Sequence, residues 1–169
     1  SCLEEAAKHT PCDGRLYNNL GIALERLLER YNTANNNNSN NNNNNDDDDN
    51  GSTPHDNSAM MMTVELNERI RTAYETSTAI HSACQRVGCD VAADFESACL
   101  NRGLYLSKLD EFGAAVEVLS RMTVQPAYDD GDAADNAADN VAGDAAGAWA
   151  RRRVVEDAMR LLSFCQKQL

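Results

Sequence analysis

The chain has 169 residues, 42% of them hydrophobic, and its 27 acidic against 15 basic residues leave a formal net charge of −12. That length allows one domain with a real core, burying roughly two-thirds of the surface its unfolded form exposes. The acidity excludes a phosphate-tracking nucleic-acid binder, which needs a basic face, and no apolar run approaches the roughly 20 residues of a membrane span.

In chain order, Leu3, Ala6 and Ala7 fall at helical spacing, and that stretch stops at Pro11. A second helix is expected from Asp13 or Gly14 to about Tyr31, with Leu16, Leu20, Ala23, Leu24, Leu27 and Leu28 recurring at three and four on one face. Residues 35–58 hold almost no apolar side chains. Such a segment cannot offset its ordering entropy by burial, so it is expected to be a disordered Asn/Asp-rich insertion. Periodicity returns over 59–88, where Leu66, Ile70, Ala73, Tyr74, Ile80, Cys84 and Val87 form one long stripe ending at Gly88. Val91 to Leu109 reads as a helix, Asp110–Glu111 as a break, and Phe112 to about Thr123 as the next helix before Pro126. Residues 127–147 offer only Ala, Tyr128 and Val141 for burial and are expected to be a disordered Asp/Ala-rich linker. Val154, Val155, Ala158, Leu161, Leu162 and Cys165 then define a final amphipathic helix within 148–169, which Trp149, Val155 and Leu162 would dock as a cap. No alternating run demands a strand. The expected class is all-α with no β-sheet, its helices paired antiparallel through short turns.

A finer register lies inside this ladder. Tyr17, Leu20, Gly21 and Leu24 place an aromatic, a leucine–glycine pair and a large apolar residue at spacings of three, one and three. Leu3, Ala6 and Pro11 precede them at matching offsets. Downstream, Gly103, Leu106, Phe112, Ala115 and Leu119 repeat the same register, with Pro126 closing the unit one residue late. A glycine inside a helix costs about 1 kcal/mol relative to alanine. Gly21 and Gly103 both fall mid-helix, so each is expected to mark a close helix–helix approach, with Ala115 the small residue facing Gly103.

These motifs resemble the tetratricopeptide repeat, a 34-residue helix pair that stacks into an α-solenoid. The second copy departs from the pattern at Cys99, where an aromatic is usual, and at Arg102, where leucine is usual. The resemblance covers about half the chain. It divides the sequence into the end of one repeat plus the first helix of the next (1–34), the insertion (35–58), a long helix plus a complete helix pair (59–126), the linker (127–147) and a capping helix (148–169). Gly21 and Gly103 are 82 residues apart, so the first repeat is expected to be split by the insertion and to have a lengthened second helix.

Stacked pairs of this kind curve into a superhelix whose concave face is lined by first helices. The register then implies a partner-binding groove of Arg15, Asn18, Asn19 and Ile22 with Ser97, Leu100, Asn101 and Leu104. Asparagine amides both donate to and accept from a peptide backbone, which suits sequence-tolerant capture. The function implied is a scaffold or adaptor that binds other proteins or peptides. The alternatives are the targeting module of a larger enzyme and a fixed subunit of an assembly. Some tetratricopeptide proteins clamp the C-terminal carboxylate of heat-shock chaperones with Lys, Arg and Asn on successive first helices. Asn101, Arg102 and Gly103 resemble the middle repeat of such a clamp, but Asn18 and Ile22 stand where the first repeat needs Lys and Asn, so the set does not close.

Chemistry is sparse elsewhere. There is no nucleophile–base–acid set and no phosphate loop, so no enzymatic activity, cofactor or metal is expected. His81, Cys84, Cys89 and Cys99 lack the two tight ligand pairs of a structural zinc site, and the cysteines read as buried and reduced. Asp129 to Asp135 lacks the glycine and terminal bidentate glutamate of a calcium loop at the required spacing and reads as linker. Arg151, Arg152 and Arg153 read as a solvated face, and the Asn37 and Asn50 sequons as unmodified. Six cysteines with no signal peptide point to an intracellular, cytoplasmic protein with free thiols. A first residue, Ser1, that opens inside a helix implies a fragment.

Overall fold

The computed structural model describes residues 2–41, 54–88, 92–123 and 141–169. These form six helices, α1 (Cys2–His9), α2 (Gly14–Asn41), α3 (Pro54–Arg86), α4 (Ala92–Lys108), α5 (Phe112–Thr123) and α6 (Val141–Gln166), with no strand among the described residues. The chain divides into two compact units, Ser1–Ser77 and Thr78–Leu169, and the division falls within α3.

Helix ends follow local chemistry. The Asp13 carboxylate caps α2, its Oδ1 accepting from the Arg15 backbone N–H at 3.0 Å. Desolvation alone would raise the Asp13 carboxyl, but hydrogen bonds from the Arg15 side chain and backbone outweigh it and hold the group below its ordinary range. Pro54 opens α3, where its missing N–H costs nothing. Between α4 and α5 the chain turns in three residues. Asp110 takes a left-handed φ of 58°, and the Glu111 N–H reaches back to the Leu106 carbonyl at 3.0 Å, the Schellman closure of a helix C-terminus.

Two helices run further than their apolar pattern requires. Residues 35–41 continue α2 and residues 54–58 open α3, although both stretches were expected within the disordered insertion; residues 141–147, expected in the second linker, belong to α6. Nucleating a helix is costly and extending one is cheap, so a packed helical segment carries its neighbours along. The remainder of the two segments, 42–53 and 127–140, lies outside the described residues.

In the first unit α1 packs on α2, and the buried positions are Ala7, Gly14, Gly21, Leu24, Leu66, Ile70, Ala73, Tyr74 and Ser77. Ala23 and Leu27 were expected on the buried face of α2, but both are exposed, Leu27 at 49%. An α1 of eight residues covers only about two turns of its neighbour. The stripe on α3 also differs from expectation. Its second half buries Ser77, Thr78 and His81, while Ile80 and Cys84 are half-buried and Val87 is 77% exposed.

In the second unit α4, α5 and α6 pack on one another. Phe95, Cys99, Leu106, Ala115, Val118, Leu119, Met122, Ala158 and Cys165 form one apolar cluster, edged by half-buried residues that include Phe112, Val154, Leu161 and Leu162. Burying each large side chain here stabilises by about 1.5–3 kcal/mol. The Phe112 and Phe164 rings meet edge-to-face at 6.0 Å. The side chain of Trp149, expected to help dock α6, lies outside the described residues.

Candidate protein-binding faces

Each mid-helix glycine marks a close approach. A Cβ at Gly21 would stand 2.6 Å from Cε1 of Tyr74, and one at Gly103 would stand 2.7 Å from Cδ2 of Leu119. Neither gap admits a methyl group without displacement. The residue that fills the space beside Gly103 is therefore Leu119, not Ala115, which is nonetheless fully buried in the same cluster. An alanine presents a single methyl, whereas the longer leucine reaches across from one turn further along α5.

The two closures differ in chemistry. In the first unit the Tyr74 hydroxyl donates to Glu25 Oε2 at 2.5 Å, the Ser77 hydroxyl donates to the Gly14 carbonyl at 2.8 Å, and Arg69 pairs with Glu4. The Gly14–Ser77 and Glu25–Tyr74 contacts run in opposite chain directions, so α2 and α3 are antiparallel along this stretch. In the second unit the closure is apolar, with one polar tie: the Arg102 guanidinium donates to Thr78 Oγ1 at 3.1 Å.

The eight groove residues separate into two sets, one in each unit. On α2, Arg15 and Asn19 are exposed while Asn18 and Ile22 are half-buried; Arg15 Nε also lies 3.3 Å from Asp13 Oδ1. On α4, Leu104 is 41% exposed and Ser97, Leu100 and Asn101 are half-buried. Leu100 packs against the apolar cluster, so only part of its side chain is available to a ligand. Most of the α4 circumference is buried, through Phe95, Ala98, Cys99, Tyr105 and Leu106. Ser97, Leu100, Asn101 and Leu104 share the narrow stripe that remains, as their 3–4 spacing requires. The register did not single out Arg26 and Arg30, which continue the outward row of α2 and with Glu29, Thr33, Ala34 and Asn37 line one shallow depression. Arg26 follows Ile22 by four residues and Arg30 follows Arg26 by four, and that spacing is the signal that could have found them.

The thiols sort by burial. Cys2 and Cys12 are exposed, Cys84 is half-buried, and Cys99 and Cys165 are buried; all five are free. Burial pushes the Cys99 thiol up to about 12, against the opposing pull of Arg121 and Arg102, and raises that of Cys165. Cys99 thus acts as a small hydrophobe in the apolar cluster. Among the described residues no group of three or more His, Cys, Asp or Glu is placed to hold a metal ion; Cys89 and the 129–135 acidic run lie outside them. Arg152 pairs with Glu156 at 3.2 Å and Arg160 with Asp157 at 3.5 Å along the exposed side of α6. No helix among the described residues is long and apolar enough to cross a membrane. Compared with family models, with curated proteins and with solved structures, the chain matches none.

Proposed function

We propose that this chain is a protein-binding scaffold of degenerate tetratricopeptide type, taking a peptide or partner helix on the exposed faces of α2 and α4. The observation that carries the reading is the pair of glycine contacts. In both units a mid-helix glycine of the motif meets a large side chain of the next helix in chain order, Tyr74 for Gly21 and Leu119 for Gly103. An isolated helix would gain about 1 kcal/mol by replacing either glycine with alanine. Close approach is the physical reason to keep them, and it recurs at the two positions the repeat register marks. In this reading α2 and α3 are one helix pair interrupted by the residues between them, α4 and α5 are a second, and α6 is the terminal cap. Asn19 and Asn101 supply amides to a bound backbone, and the adaptor works inside the cell with its thiols reduced.

The test is affinity capture with the purified chain, comparing wild type with Asn19→Ala and Asn101→Ala and checking each variant's helix content by circular dichroism. Partners lost from either variant at unchanged helicity support these faces. Capture that is the same for all three proteins rules them out.

A further inference from the structure

The outward side of α2 has a composition unlike the rest of this acidic chain. Arg15, Asn19, Ile22, Arg26 and Arg30 follow one another at spacings of four, three, four and four, so they occupy one face of the helix. That face spans about 23 Å from Arg15 to Arg30. Ile22 is half-buried and the other four are exposed. The row contains no carboxylate. Of the nearest acids on α2, Glu25 accepts the Tyr74 hydroxyl at 2.5 Å, and Glu29 borders the row beside Arg26 and Arg30. Arg15 is engaged by its capping neighbour Asp13, whereas Arg26 and Arg30 make no ion pair among the described residues. The two guanidiniums stand one helical turn apart and line one shallow depression with Glu29.

We infer that the outward row of α2 binds an acidic segment of a protein partner through side-chain carboxylates spaced about one helical turn apart. Arg26 and Arg30 take the carboxylates, Asn19 contributes an amide, and Ile22 is the apolar seat between them. Guanidinium forks suit this role, since two parallel N–H donors match the two oxygens of a carboxylate. The inference rests on reading α2 as a protein-binding face and deepens it by naming the partner's chemistry. It differs from the chaperone clamp, which needs one terminal carboxylate held by successive helices, because here several side-chain carboxylates lie along a single helix. At physiological ionic strength the screening length is about 8 Å, so these local charges outweigh the distant net charge of the chain.

The full chain is titrated, by fluorescence anisotropy, into a fluorescein-labelled peptide of about 16 residues, a length matched to the row, carrying glutamates at i, i+4 positions, and into its glutamine twin. Two exposed ion pairs predict that the wild type prefers the glutamate peptide by roughly tenfold, with the preference shrinking as salt rises from 0.15 to 0.5 M. Arg26→Gln combined with Arg30→Gln should abolish it, Arg26→Lys combined with Arg30→Lys should keep most of it, and Arg86→Gln on α3 should leave it unchanged. Equal affinity of the wild type for the two peptides, no binding of either, or a preference that survives the double glutamine variant overturns the inference. Partner capture that depends on Asn19 or Asn101 without any acidic preference would sink the acidic-partner inference alone. An acidic preference without that dependence would sink the repeat-groove reading alone.

Discussion

The two units use one device with two chemistries. In each, a glycine removes the Cβ that would keep two helices apart. The first unit fills the space with a tyrosine whose hydroxyl is tied to Glu25 and supports it with the Ser77–Gly14 hydrogen bond. The second fills it with leucine and surrounds it with a continuous apolar cluster. The difference shows that the glycine register fixes where helices meet, while what holds them there is free to vary. A hydrogen-bonded closure is directional and loses its worth when one partner goes. An apolar closure is non-directional and responds to lost volume.

The largest contrast expected between the units is in thiol reactivity. Cys2 and Cys12 in the first unit are exposed, while Cys99 in the second is buried with its thiol near 12. At pH 8 the native thiolate fraction of Cys99 should be about a thousandfold below that of an ordinary cysteine. A brief iodoacetamide pulse read by peptide mass spectrometry should therefore label Cys2 and Cys12 and spare Cys99; comparable rates would erase the contrast. The sign of the pH effect follows. The folded thiol stays protonated up to about 12, whereas the unfolded one ionises near 8.5. Stability from this group is fully present below that lower value and falls as pH rises from there toward 12. Urea midpoints should therefore drop more steeply between pH 8 and 10 in wild type than in Cys99→Ala.

Next in size is the apolar closure itself. Leu119 is fully buried, so Leu119→Ala should cost about 2–5 kcal/mol. Adding Gly103→Ala to it should recover about 1 kcal/mol, since the new methyl enters vacated space and alanine favours the helix. In the wild-type background the same Gly103→Ala should destabilise, because Leu119 has nowhere to move. A double-mutant cycle by chemical denaturation reads the coupling, and simple additivity would mean that the glycine is incidental.

The hydrogen-bonded closure should respond to smaller changes. Tyr74→Phe keeps the ring and removes its donor to Glu25, and should cost about 1 kcal/mol. The loss should register as faster hydrogen exchange in α2 and spare α5. The smallest effect expected is a gain: Asp110 holds a left-handed φ of 58°, and Asp110→Gly should stabilise by roughly 0.5–1 kcal/mol in thermal melts.

How much of this was legible beforehand depended on the range of the interaction. The bounds of α5 and the break at Asp110–Glu111 follow from local periodicity, and the glycines announced close approach through their cost. The partners of those glycines did not follow. Tyr74 meets Gly21 from 53 residues away, and the Glu25–Tyr74 and Ser77–Gly14 ties join residues that no local pattern connects. The burial of Ser77, Thr78 and His81 was missed for the same reason, because a polar residue signals burial only once its partner is known. Leu27 was placed inside because periodicity marks an apolar face without saying how much of it a neighbouring helix covers. In the candidate faces, Ser97, Leu100, Asn101 and Leu104 lie along one stripe of α4, as their 3–4 spacing requires, and the motif offsets did not extend to Arg26 and Arg30.

The Gly21–Tyr74 contact lies 20 residues before the end of α2 at Asn41 and 20 residues after the start of α3 at Pro54. The two arms are therefore equal in length, each about 30 Å long. Lengthening what joins their ends costs only about 0.6 kcal/mol per doubling. Inserting a reporter domain between Asn41 and Pro54 is therefore expected to leave the Gly21–Tyr74 contact, 20 residues away on each helix, unchanged.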